Sequence, residues 1–203
     1  MHFPVPDYFV KSHNRAPTFR RTLHLPCQLR VTCNFNEIVF DRLSKERANL
    51  VFSSSDTEIL LPIPGSIEVP GTPWTATAET LPDELVQEVR QALSREDWPE
   101  VWRLLPPTRH AVYVDGDVVS SFVWVRTRRP GDRIQPLGMA HEKKVQDVLV
   151  DKHIPRADRA HIPLFFSVSH CIWLAGVCLD ERARLTNKTE RIVRLSMGLR
   201  PLG

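Results

Sequence analysis

No window of the 203 residues approaches the roughly 20 consecutive apolar positions a membrane-spanning helix needs. The opening MHFPVPDYF also lacks the cationic start and long apolar run of a secretory leader. The expectation is therefore a cytoplasmic chain with no membrane role. The four cysteines, Cys27, Cys33, Cys171 and Cys178, fit neither a CxxC knuckle nor a redox pair, so reduced core or surface thiols are expected. Eight histidines include no HExxH and no i, i+4 pair, which argues against a metal site. A glycine-rich phosphate loop is also missing. Its nearest substitute, Ser53-Ser54-Ser55-Asp56, has no glycine to let a phosphate approach the backbone and reads as a polar loop. Asp115 with Asp117 reads as turn chemistry, and Asp180-Glu181 beside Arg182 and Arg184 as a surface charge cluster. No catalytic residue and no internal repeat emerges.

What the sequence does have is charge separated along its length. The net charge of +3 is mild. Yet residues 11–47 hold eight Lys/Arg against three acids, residues 56–100 hold two against ten, and residues 126–159 hold nine against five. In the last of these stretches, RTRRPGDRIQPLGMAHEKK sets Arg126, Arg128, Arg129 and Arg133 around a Pro130-Gly131-Asp132 turn. A second turn, Pro136-Leu137-Gly138, precedes Lys143 and Lys144, which are expected in the first turn of a helix. Cations at a helix start oppose its dipole, which points to an external anion that would also use the free N–H groups there. Lys152, Arg156 and Arg159 follow within reach.

The predicted fold class is α+β: a proline-interrupted, β-rich first part with a helical insertion, then a small module of two helices and an antiparallel sheet. Residues 1–22 read as a tail or linker. In residues 23–124, LRVTCNF and EIVF alternate as a hairpin. Pro62, Pro64, Pro70 and Pro73 should confine the next short strands to edges or bends. The helical segment 82–105 carries Leu85, Val89 and Leu93 on one face and is split by Pro99. HAVYVDGDVVSSFVWVR reads as two strands joined in a hairpin at Asp115-Gly116. Residues 125–203 make the second module: a helix around Val145, Val148 and Leu149, a second short helix from Pro155, two strands joined near Ser169, and a last strand in TERIVRL. Trp124 and Trp173, inside apolar strands, are expected in the core.

The ordered strings VRTRRPGDRIQPLGM, KKVQDVLVDKHIPRADRAHIPL and WLAGVCLDERARLT resemble the C-terminal domain of bacterial tRNA(Ile)-lysidine synthetase over residues 110–196. Upstream, LHLPCQLRV is similar to that family's L-P-G-G-L-R segment, with Cys27-Gln28 in place of the glycines. The resemblance implies an ATP-dependent ligase that joins lysine to the wobble cytidine of tRNA(Ile). Its S-G-G-x-D-S motif belongs to an N-terminal PP-loop domain, with ATP and magnesium, and is not in this sequence. The chain is thus expected to grip and position tRNA, to need no cofactor of its own, to work beside the catalytic PP-loop domain, and to be inactive alone. By position, the resemblance assigns phosphate contacts to Arg126, Arg128, Arg129, Arg133, Lys143, Lys144 and Arg159, to which nearness in sequence adds Lys152 and Arg156. It assigns turn-holding roles to Gly131, Asp132, Pro136, Gly138, Pro155 and Pro163. The rival reading is a homodimerising protein–protein module with no nucleic-acid role, in which the acidic residues 56–100 dock on a basic face of another copy.

Overall fold

A computed structural model describes residues 57–106 and 108–199, together with the backbone of three strands nearer the N-terminus. The expected tail falls almost wholly outside these residues, as do Cys27 and the Ser53–Asp56 loop. Two compact units divide the chain, one of residues 5–53 and the other essentially of residues 54–203. In the first, β1 (Arg21–Leu25), β2 (Leu29–Asn34) and β3 (Glu37–Arg42) form an antiparallel meander. The β2–β3 pairing, from Leu29 opposite Arg42 to Asn34 opposite Glu37, is the hairpin that the alternation predicts.

The larger unit opens with β4 (Ile59–Pro62), β5 (Gly65–Glu68) and β6 (Trp74–Thr80). As expected of strands bounded by proline, β4 and β5 are each the edge of a sheet. Two helices follow, α1 (Asp83–Ser94) and α2 (Trp98–Leu104). The break between them is chemical: the Asp97 carboxylate accepts the Glu100 N–H, and Pro99 sits in the first turn, where its missing N–H costs nothing. On α1 the fully buried positions are Val86, Val89 and Ala92, with Leu85 and Leu93 half-buried beside them.

Strand β7 (Ala111–Asp115) leads through a four-residue helix, α3 (Gly116–Val119), into β8 (Phe122–Arg126). Here the structure departs from the predicted hairpin. Asp115 caps α3 by accepting the Asp117 N–H and takes the Thr189 hydroxyl at 2.7 Å. Gly116 is small because the Arg191 side chain lies where a Cβ would stand. The dipeptide that suggests a tight turn therefore serves a corner, and β7 and β8 enter different sheets. After β9 (Arg133–Ile134) and β10 (Lys143–Lys144) come α4 (Val145–Asp151), a 3-10 turn (Arg159–His161), β11 (Leu164–Phe166), β12 (Cys171–Leu174), β13 (Cys178–Leu179), a second 3-10 turn (Glu181–Ala183) and β14 (Ile192–Leu199). The helix expected from Pro155 is only the first of those 3-10 turns.

Two antiparallel sheets, in the orders β13-β12-β11-β8-β4 and β5-β6-β14-β7, share one core. Val123, Val125, Phe165 and Trp173 come to it from the first sheet, and Ala76, Val114, Val193 and Leu195 from the second. The boundary expected at residues 124/125 runs through β8 instead. That strand pairs with β4 before it and β11 after it, while β14 pairs with β6 and β7, so hydrogen bonds cross the boundary in both sheets. On the outer face of the five-stranded sheet, α4 packs Val145, Val148 and Leu149 against Leu164, Cys171 and Leu174. That helix covers only the β11–β12–β13 side. On β8, Phe122 and Trp124 remain partly exposed, next to Leu60 on β4.

Candidate nucleic-acid interface

The basic segment starts with an arginine that does not face solvent. Arg126 is 8% exposed, and its guanidinium forks onto the Asp132 carboxylate with both contacts at 2.8 Å. It also donates to the Thr127 carbonyl and lies 4.0 Å over the Phe166 ring. Burial opposes the charge, but the Asp132 hydrogen bonds and charge, with Glu58 beyond them, outweigh it and leave the guanidinium pKa raised. Asp132 is the hub of the turn, since it also accepts the Arg129 N–H at 2.6 Å. Gly131, at φ +92°, takes the third position of the Pro-Gly turn closed by the Asp132 N–H on the Arg129 carbonyl. Asp132 and Gly131 close this turn, and Arg126 is bound into it through Asp132 rather than facing solvent. The fork and the ring satisfy it from within.

The second turn is fastened to a residue that the sequence presents as surface charge. Asp180 is fully buried. It accepts the Gln135 and Arg182 N–H groups and two nitrogens of the Arg182 side chain, all at 2.8–2.9 Å. Next to it, Glu181 accepts the Gly138 N–H at 2.7 Å, where Gly138 has φ +80°. Pro136 bridges to Asp180 and closes its own turn on Met139. Neighbours in sequence gave Asp180 only arginines. The fold gives it a backbone donor, the Gln135 N–H, from a segment 45 residues away, and this helps make burial affordable.

Lys143 and Lys144 are not in a helix. They form β10, pairing with Ile134 and Arg133, and Lys144 is the extended N-cap of α4. Ile134 is fully buried, so its strand requires a partner, and the lysine backbone supplies one. α4 has only seven residues, and its first N–H donates to the Asp132 carbonyl at 2.9 Å, so that donor is already used within the fold. Lys143 is half-buried and pairs with Asp151 at 3.4 Å, whereas Lys144 is exposed.

The remaining cations surround this ribbon. Arg128 reaches Gln146 at 3.4 Å, Arg129 reaches Glu58 at 3.4 Å, and Arg133 pairs with Glu142 at 3.2 Å. Lys152 follows α4, about 12 Å along the helix axis from Lys144 at 1.5 Å per residue. Arg156 is exposed in the next turn, where the Asp158 N–H closes on the Pro155 carbonyl. Arg159 is half-buried and donates to the Ile154 carbonyl. Pro163 is buried, and its carbonyl accepts the Ala175 N–H. Among the described residues, Lys144 and Arg156 are exposed and have no acidic partner.

A cleft of about 550 Å³ opens beside this ribbon, lined by Trp124, Phe166, the Ser167–His170 hairpin tip and the carboxylates of Glu58, Asp132 and Glu142. Nothing in the basic pattern announces it. Trp173 is core as expected, but Trp124 faces the cleft; its alternation with Val123 and Val125 was the available signal. In the hairpin tip, the Ser169 hydroxyl is 2.7 Å from His170 Nδ1, while His170 Nε2 has no hydrogen-bond partner and lies 4.0 Å from Asp180. Burial, then the Arg182 charge, keeps the His170 pKa below 6.5. Cys171 and Cys178 are buried free thiols, and burial pushes Cys178 up to about 12, so both behave as core residues.

Residues 123–196, spanning both turns, the ribbon and all of the cleft lining but Glu58, match the family model of the TilS substrate C-terminal domain. Over these residues the chain is similar to that domain. The tRNA(Ile)-lysidine synthase of Geobacter sulfurreducens is 32% identical over 197 residues, covering 96% of this chain and 36% of its own length. That of Symbiobacterium thermophilum is 34% identical over 141 residues, 70% of this chain and 26% of its own length. The chain thus spans about a third or less of these relatives. A solved structure, the crystal structure of a TilS C-terminal domain, superposes with a TM-score of 0.51 at 20% identity, covering 72% of this chain and all of the solved one. That likeness supports the α+β fold. No helix among the described residues is long and apolar enough to cross a membrane.

Proposed function

We propose that this chain is the tRNA-engaging portion of a tRNA(Ile)-lysidine synthase. It holds tRNA(Ile) while a PP-loop domain of the same enzyme, beyond these 203 residues, joins lysine to the wobble cytidine with ATP and magnesium, in the cytoplasm. The observation that carries this reading is one of overlap. The segment that matches the family, residues 123–196, also contains the ribbon with exposed Lys144 and, around it, Arg128, Lys152 and Arg156. The turn at residues 130–132 precedes the ribbon and that at residues 136–138 lies between its strands, so the ribbon holds Lys144 in a fixed place, which suits contact with an RNA backbone. Lys143 and Lys144, tied by their backbones to β9, present side chains at a fixed register.

The test is a binding titration of the chain against tRNA(Ile) across a salt series. Replacing Lys143 and Lys144 by Ala is expected to weaken binding and to lower the salt slope by about one unit per lost phosphate contact. Unchanged low-salt affinity removes this pair from the interface. Light scattering with and without tRNA addresses the rival: a dimer indifferent to tRNA replaces this reading with a protein–protein module.

A further inference from the structure

The cleft beside the ribbon is poorly suited to a phosphate. Glu58, Asp132 and Glu142 line it, and Arg133, the cation on its wall, is already paired with Glu142. A phosphate inside would meet three carboxylates. What the cleft offers is an aromatic wall and hydrogen-bonding groups at close quarters. Trp124 and Phe166 stand opposite one another on adjacent strands of the outer sheet face, Phe166 at the edge of the cluster under α4 and Trp124 beyond it. Phe122 meets Trp124 edge-on at 5.8 Å and holds the indole in place, and Arg126 backs the Phe166 ring. Next to this wall, Ser169 at the exposed hairpin tip carries a hydroxyl 2.7 Å from His170 Nδ1. The Val168 side chain at the tip is 78% exposed.

We propose that this cleft takes one unpaired nucleobase of the bound RNA, stacked against Trp124 and Phe166, with its edge read by the Ser169 hydroxyl and the Glu58 and Glu142 carboxylates. The proposal rests on the tRNA reading above and deepens it. Bases in a duplex are stacked and paired, so only a single-stranded base can present its face and edge together. The carboxylates accept hydrogen bonds and cannot donate them, so they favour a base with an exocyclic amino group, cytosine, adenine or guanine, over uracil. The cleft volume lies within the range of sites that enclose a small ligand. The phosphates of the same nucleotides remain outside, near Arg128 and Lys144.

The test is competition against labelled tRNA(Ile) by short single-stranded oligomers of cytidine, adenosine or uridine and by a duplex RNA, using the full chain. Cytidine or adenosine oligomers should compete better than uridine oligomers and quench tryptophan fluorescence. Trp124→Leu should weaken their binding roughly tenfold, the size of a lost base–aromatic stack. Ser169→Ala, at an exposed position that cannot disturb the core, should reduce the preference for amino-bearing bases. If Trp124→Leu fails to fold, that second variant and the quenching in the unaltered chain decide the matter. If tRNA binds but the oligomers neither compete nor quench, or bind Trp124→Leu and Ser169→Ala as well as the unaltered chain, the cleft proposal falls and the tRNA reading stands. If the unaltered chain binds neither tRNA nor oligomers, both fall.

Discussion

Arg126 and Lys144 sit eighteen residues apart in one basic segment and count equally in any tally of charge, yet the fold uses them in opposite ways. Arg126 is consumed by a buried fork with Asp132 and a ring beneath it. Lys144 gives only its backbone to the ribbon and leaves its ammonium in water. The difference lies in partners, since a cation that meets a carboxylate and an aromatic face inside the fold is a structural member, and one that meets neither is available to a polyanion. A cluster of basic residues is thus an upper bound on an interface.

The largest expected effect comes from the buried member. Arg126→Ala should cost about 3 kcal/mol, because it strands the Asp132 carboxylate among buried neighbours. Arg126→Lys should recover less than half, since a point charge cannot fork. Denaturant unfolding measures both, as a midpoint shift at constant slope. A loss below about 1 kcal/mol would break the contrast with Lys144. Next in size, Gly131→Ala should cost about 1 kcal/mol. A Cβ there meets nothing within 4 Å, so the cost is that of φ +92° alone.

A smaller effect concerns pH. His170 is held neutral by burial and by the charge of Arg182, with Asp180 and Glu142 pulling the other way. Its folded pKa lies below the ordinary 6.5, so the unfolded chain binds the proton more readily. This stabilisation is therefore complete above pH 6.5 and drains away as pH falls through 6.5 toward the lowered folded value. Thermal melting from pH 8 to pH 5 should show a decline that His170→Gln makes shallower. The smallest expected change in stability is from Lys144→Ala with Arg156→Ala, within about 0.5 kcal/mol. The same pair should reduce the salt slope of tRNA binding by about two units, so that stability and binding separate for these cations and coincide for Arg126.

Much of the fold was legible wherever a residue acts through its own backbone. Prolines placed β4 and β5 at sheet edges, Pro99 with the Asp97 cap divided the helical segment, and the Pro130-Gly131 and Pro136–Gly138 turns formed where pre-set φ values require them. Reading failed where a remote partner decided the outcome. Asp115-Gly116 has hairpin chemistry, but Thr189 and Arg191 turn it into a corner. Asp180 looks like surface charge until Gln135 arrives with its N–H. The lysine pair reads as a helix start because nothing nearby reveals that buried Ile134 needs a strand partner. Of the candidate site, the cations could be read from the sequence, but the cleft could not. Its walls come from β8, β11, the first turn and the Ser167–His170 tip, which no local pattern brings together.

By itself, the sequence determined the α+β character, the stiffness of the two turns, the concentration of basic residues after Thr127 and the family likeness, all set by backbone preference and residue order. Only the tertiary structure decided which of those cations are spent inside the fold and which remain outside, and that an aromatic cleft lies beside them. Charge is written in the chain one residue at a time, whereas the desolvation and pairing that decide its use depend on neighbours that folding alone supplies.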